Sequence, residues 1–202
     1  MKKGILLAAF AFMAFTATQA QEVRLGIKGG YNLANLTGDV GDAKARSAFH
    51  IGGLVEVPVS EQFSVQPEIL YSSQGAEYTG SFTGADNSKI TAKLDYIQVP
   101  VMAKFYAVDG FALEVGPQVS FLTSATGKIE TTVGDVTVNH EEDLENFKKV
   151  DFGVGLGASY RIPMGVFFGA RYNFGLTNLN DDSDSSAKIR NGVLQISAGY
   201  SF

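Results

Sequence analysis

Few side chains in this sequence could take part in chemistry, and their types narrow what that chemistry is. The chain has 202 residues, no cysteine and two histidines. Thiol nucleophiles, thiolate metal sites and disulfide scaffolds are excluded, and so is a metal site built from several imidazoles. His50 could act as a base on Ser47 or Ser72. A hydrolytic site also needs a third group to orient the base, and the spacing singles out none, so no catalytic residue is assigned. His140 stands in Asn139-His140-Glu141-Glu142-Asp143, a stretch expected in water. The acidic loop 181–184 offers carboxylate oxygens to calcium but lacks the EF-hand spacing with its terminal glutamate. It reads as a solvated loop. Neither a metal nor a cofactor is expected. The formal charge of -5 argues against a nucleic-acid partner.

What remains is a set of ten ionisable residues placed between apolar ones: Arg24, Lys28, His50, Glu56, Glu68, Lys104, Glu114, Asp151, Arg161 and Arg171. The chemistry open to them follows from the segments that carry them. Along Val23-Leu33, apolar residues and glycine fall at odd positions, while Arg24, Lys28 and Asn32 fall at even ones. That is the period of two of a β-strand. It recurs in segments that start at Phe49, Phe63, Ile97, Phe111, Val150, Val166 and Leu194. The apolar faces of these eight segments hold 45 positions and no charge, whereas an 18% charged composition would place about eight there. The other faces hold all nine strand charges and ten glycines. Connections at 58–61, 107–110 and 163–165 are short. Those at 34–48, 75–93, 124–149 and 178–191 are long and polar. This predicts an all-β fold, an eight-stranded antiparallel up-and-down transmembrane β-barrel with tight turns at one end and long loops at the other.

Residues 1–20 have the charged start, short apolar run and small terminal residues of a secretory signal peptide. The expected barrel domain is then 21–202. Losing Lys2 and Lys3 takes the formal charge from -5 to -7. No stretch approaches 18 apolar residues, so a membrane would have to be crossed by a closed barrel.

Alternation alone leaves open which face points outward. A soluble ligand-binding barrel would turn its apolar face inward, and an outer-membrane barrel would turn it to lipid. The glycine-rich polar face suits a narrow interior rather than a solvated exterior. Aromatic residues of the apolar face gather by the short turns (Phe63, Phe105, Phe111, Tyr160, Phe202) and toward the long loops (Tyr31, Phe49, Tyr71, Phe121, Phe152, Phe174). Two such belts belong to a barrel with two membrane interfaces.

Five segments carry a resemblance to a known family: GIKGGYNLANL at 26–36, LDYIQVPVMAKFY at 94–106, FALEVGPQVSFL at 111–122, DFGVGLGASYRI at 151–162 and FFGARYNFGLTNL at 167–179. The mature chain resembles the small porin-like outer-membrane β-barrel family of PorT type. The resemblance implies the outer membrane as location and no particular substrate. Phe202, with Tyr200 on the same face, is similar to the terminal aromatic signal read by the barrel-insertion machinery.

The interior charges, five cations and four anions with His50 beside them, are expected to form a closed lumen network of ion pairs, since buried ions must be paired. The expected protein is a monomer with a structural or surface-interaction role. Its partners are outer-membrane lipid, the insertion machinery and an extracellular ligand met by loops 75–93 and 124–149. Within 124–149, strands are expected to continue as a hairpin around Gly134-Asp135, with a helical turn or two over 141–149. The alternatives are a narrow, weakly selective porin for small solutes and a soluble periplasmic ligand-binding barrel.

Overall fold

The computed structural model describes residues 23–39, 41, 43–80, 87–133, 136–144, 147–181 and 186–202. The expected signal peptide, most of the acidic loop and Gly134-Asp135 lie outside them. Among the described residues there are nine strands: β1 (Arg24–Gly38), β2 (Lys44–Pro58), β3 (Phe63–Gly80), β4 (Asn87–Val108), β5 (Phe111–Val133), β6 (Val136–Asp143), β7 (Val150–Arg161), β8 (Val166–Gly175) and β9 (Ile189–Ser201).

Eight of them form the expected antiparallel ring, in the order β1-β2-β3-β4-β5-β7-β8-β9. β9 closes the ring on β1 through thirteen residue pairs, from Gly26 opposite Ser201 to Gly38 opposite Ile189. The ninth strand, β6, adds to one wall. It pairs with β5 over Thr126–Val133, above the stretch Phe111–Phe121 where β5 pairs with β7.

The two faces of the ring meet different surroundings. Ile27, Ile51 and Leu156 are 59%, 59% and 56% exposed, while Lys28, Glu68 and Arg171 are buried. This inverts the distribution of a water-soluble protein. It is stable with hydrocarbon outside the ring. Aromatic pairs mark the edges of the band: Phe63 against Phe105 at the short-turn end, with centroids 5.1 Å apart, and Phe49 against Tyr71 at the other, 5.6 Å apart. Tyr71 lies eight positions beyond Phe63, and Phe121 lies ten beyond Phe111. At about 3.3 Å per residue and a tilt of about 40°, the band is about 20–25 Å tall, which fits an outer-membrane bilayer. The short turns close on Gly110 (φ +78°) and Gly165 (φ +87°), a conformation that other residues adopt only under strain.

The long-loop end departs from expectation. Residues 75–93 are mostly strand, because β3 runs to Gly80 and β4 begins at Asn87. Most of 124–149 is the hairpin of β5 and β6, so the expected strand continuation is present. Among the described residues of 141–149 the expected helical turns are absent. Glu141, Glu142 and Asp143 finish β6 opposite Lys128, Gly127 and Thr126, and Phe147 forms a bridge with Asn180. The β5 ladder satisfies those backbone groups before a helix can nucleate. Lys128 Nζ lies 2.7 Å from Glu130 Oε1 on this exposed hairpin, which holds the Glu130 carboxyl below its ordinary pKa. The outward positions of these extensions, such as Glu77, Lys93 and Glu130, are charged and carry no apolar stripe, while Ala76, Ala92 and Leu94 are buried on the inward side.

Leu156 lies midway between the belt residues Phe152 and Tyr160. Leu156→Lys should lower the unfolding free energy in lipid vesicles by about 2–4 kcal/mol relative to Leu156→Ala. Urea titration measures this, and equal midpoints would mean that this face does not meet hydrocarbon.

Candidate functional site

The interior of the ring is layered. At its centre the Arg171 guanidinium, carried by β8, donates two parallel hydrogen bonds to Glu68 on β3. Nη1 reaches Oε2 at 3.0 Å and Nη2 reaches Oε1 at 2.8 Å. Nη2 also reaches Glu114 Oε2 on β5 at 2.8 Å. Lys28 Nζ lies 2.7 Å from Glu68 Oε2, and Gln66 Nε2 donates to Glu68 Oε1 at 2.7 Å. Bidentate contacts of this kind are the strong form of ion pairing. A glycine makes the crossing possible. A Cβ on Gly155 would stand 3.1 Å from Arg171 Cδ and 2.8 Å from Asn173 Oδ1.

The run of charges continues toward the short turns. Lys104 Nζ lies 3.7 Å from Glu114 and 3.5 Å from Glu56, and it donates to Gln66 Oε1 at 3.1 Å. Glu56 faces Arg24 at 3.5 Å and Arg161 at 3.9 Å, and it accepts a hydrogen bond from the Tyr106 hydroxyl. Eight of the ten expected charge-network residues are thus joined: Lys28, Glu68, Arg171, Glu114, Lys104, Glu56, Arg24 and Arg161.

His50 and Asp151 are not joined to it. They sit nearer the long loops, in layers without ion pairs. His50 Nδ1 lies 2.7 Å from Asn32 Oδ1, and Nε2 lies 2.9 Å from Ser197 Oγ. The Asn32 amide is oriented by donating to the carbonyls of Phe49 and Ser73. Its oxygen therefore accepts from Nδ1, and Nε2 accepts from the Ser197 hydroxyl. Ser, His and Asn stand in the order of a hydrolytic triad, but the serine is neither Ser47 nor Ser72. Ser197 adjoins a void of about 10 Å³ shared with Lys28 and Arg171, room for about one water. The three side chains work as a buried hydrogen-bond set, with Ser72 and Gln195 bonded to the same asparagine. Asp151 accepts from Asn191 Nδ2 at 3.0 Å, and the same amide reaches the Tyr96 hydroxyl at 3.3 Å. Among the described residues no three acidic or imidazole groups gather as a metal site.

Above Asp151 the lumen turns apolar. Leu36, Ala76, Leu94, Tyr96 and Leu179 form a buried cluster, with Phe147, Leu122 and Ile189 packed against it. Leu179 comes from the segment between β8 and β9. It is held by its N–H on the Ile189 carbonyl at 2.7 Å and by its own carbonyl, which accepts from Lys148 N–H at 2.9 Å. This cap was missed in the sequence, as were Gln66, Tyr106, Asn32 and Ser197. The signal was parity. Leu36, Leu70, Leu94, Gln66 and Met102 occupy the inward positions of their strands. Tyr200 and Phe202 lie on the outer face with rings 5.1 Å apart, and Phe202 N–H donates to the Leu25 carbonyl at 2.7 Å.

Arg171→Met should cost about 3–5 kcal/mol, because two buried carboxylates lose the guanidinium they share and Glu114 is left with Lys104 at 3.7 Å. Adding Glu114→Gln should recover part of the loss, since it removes the carboxylate that has lost its close cation, while Glu68 keeps Lys28 at 2.7 Å and Lys104 keeps Glu56 at 3.5 Å. Urea unfolding of the four proteins closes the cycle, and strictly additive losses would mean that the two side chains do not interact.

The architecture has known counterparts. The crystal structure of Neisserial surface protein A superposes with a TM-score of 0.51 at 13% identity, covering 89% of this chain and 97% of that one. Ail, the attachment invasion locus protein of Yersinia pestis, gives 0.49 at 14% identity, over 90% of this chain and all of that one. At 13% identity the likeness to Neisserial surface protein A speaks for the fold alone. No curated protein matches the chain. The sequence model described as "Outer membrane protein beta-barrel domain" matches residues 19–181, most of the chain. With the apolar band and the closed ring, this places the protein in the outer membrane. The chain belongs to the outer membrane protein beta-barrel domain family.

Proposed function

We propose that this protein is a monomeric, non-conducting outer-membrane barrel whose role is structural or one of surface interaction, with no catalytic step. The run of ion pairs that crosses the lumen from Lys28 on β1 to Arg171 on β8 carries the reading. It ties four walls of the ring together where an open channel would hold water. The apolar cap around Leu94 and Leu179 adds a second barrier toward the long loops. Eight strands also leave an interior only wide enough for side chains to fill.

The interaction surface in this reading is the tall wall of β3, β4, β5 and β6, the strands that hold most of 75–93 and 124–149. Small outer-membrane barrels make their short turns on the periplasmic side, so this wall faces outward from the cell. Tyr200 on β9 and Phe202 just beyond it serve as the insertion signal, and the residues before Gln21 as the secretory signal.

Planar-bilayer recording of the refolded protein should stay silent. A steady unitary conductance that changes in Arg171→Met would overturn the closed lumen in favour of a pore. Orientation has its own test, helped by the lack of native cysteine. Val138→Cys on β6, 61% exposed, should react with a membrane-impermeant maleimide on intact cells. Val108→Cys, 65% exposed beside a short turn, should react only after the envelope is opened. The reverse pattern would invert the barrel.

A further inference from the structure

The ion-paired run holds more positive than negative charge. Five cations (Arg24, Lys28, Lys104, Arg161, Arg171) share three carboxylates (Glu56, Glu68, Glu114), which leaves two positive charges over. The surplus is not at the centre, where Lys28 and Arg171 sit 2.7–2.8 Å from their carboxylates. It lies at the periplasmic mouth. There Glu56 faces Arg24, Lys104 and Arg161 at 3.5, 3.5 and 3.9 Å, with Glu114 reaching Lys104 but neither arginine, and it already accepts the Tyr106 hydroxyl. Among the described residues Glu56 is the one ion partner of either arginine, at a distance too long for a good hydrogen bond. Each guanidinium carries five N–H donors.

Both arginine side chains remain partly open, at 33% and 23%. They line a hollow of about 450 Å³ together with Asp109, Tyr160, Ser201 and Phe202. Asp109 is the other charged side chain among those lining it, and it forms no ion pair among the described residues.

We propose that this periplasmic hollow binds a phosphate-type oxyanion between Arg24 and Arg161. Two planar guanidinium forks match the oxygens of such a group. The hollow is large enough to admit it, and the two part-exposed guanidiniums, which share only the distant Glu56, have donors to spare for it. The anion is either free phosphate or the phosphate of an inner-leaflet lipid headgroup, since Tyr160 and Phe202 of the lower aromatic belt edge the same hollow. The site is independent of whether the lumen conducts.

The test is calorimetric titration of inorganic phosphate into the full barrel, refolded in a nonionic detergent without phospholipid. One site is expected. Arg24→Gln/Arg161→Gln should weaken it about tenfold or more, Asp109→Asn should tighten it, and Arg190→Gln at the far end should leave it unchanged. In the second arm, native mass spectrometry counts phosphatidylglycerol retained from nanodiscs. Lipid retention that the double variant loses, with no heat from free phosphate, would support the site and assign it to headgroups. Binding in neither arm, or equal binding by the double variant, overturns the proposal.

Discussion

Hydrocarbon offers no hydrogen bonds, and the rest of this structure follows from that. Every backbone N–H and C=O within the band must find a partner in the chain, so a sheet that crosses it has to close on itself. The pairing of β9 with β1 meets the demand. The same constraint fixes the faces, since a side chain that would be ordinary outside a soluble protein is costly here. Charges are driven into the lumen, where they are far from bulk water and must find one another. The chain of contacts among Glu68, Arg171 and Glu114 is the inner counterpart of the apolar band.

The inner layers show how a narrow tube is filled. Near the periplasmic mouth, where water is at hand, the layers are ionic and one carboxylate serves three cations. Deeper, His50, Asn32 and Ser197 replace charge with neutral hydrogen bonds. Toward the cell surface, Leu94, Tyr96 and Leu179 replace polarity altogether. Glycines at 153, 155 and 157 leave room on β7 for side chains that come across from β8 and β5. The interior resembles a protein core in its packing, though its composition is polar over most of its depth.

Alternation, closure and the outward face were legible in the sequence because lipid acts on every second residue and rejects charge there. Partner choice was less so. Arg171 meets Glu68 across 103 positions, and only the stagger of the strands decides their common depth. For the same reason His50 and Asp151 share the inward parity of the ionic set and still miss it, since they sit one or two layers higher. The extracellular strands read as loops because their outward positions, such as Glu77 and Lys93, are polar, and the few buried inward ones, such as Ala76 and Leu94, make no long alternating run. The cap was hidden in isolated residues, such as Leu36 and Leu179, within segments that are polar on average.

The seam between β1 and β9 joins residues 151 to 175 positions apart, the widest being Gly26 with Ser201. Loop closure on that scale is paid late and all at once. Until the last strand arrives, β1 exposes an unpaired edge, and neither end of the molecule has a stable resting place. Assembly is therefore cooperative to a degree that a sheet of local hairpins is not. A truncation that removes only the final segment should forfeit the whole architecture rather than one-eighth of it, because the first strand then loses its partner and the ring its closure.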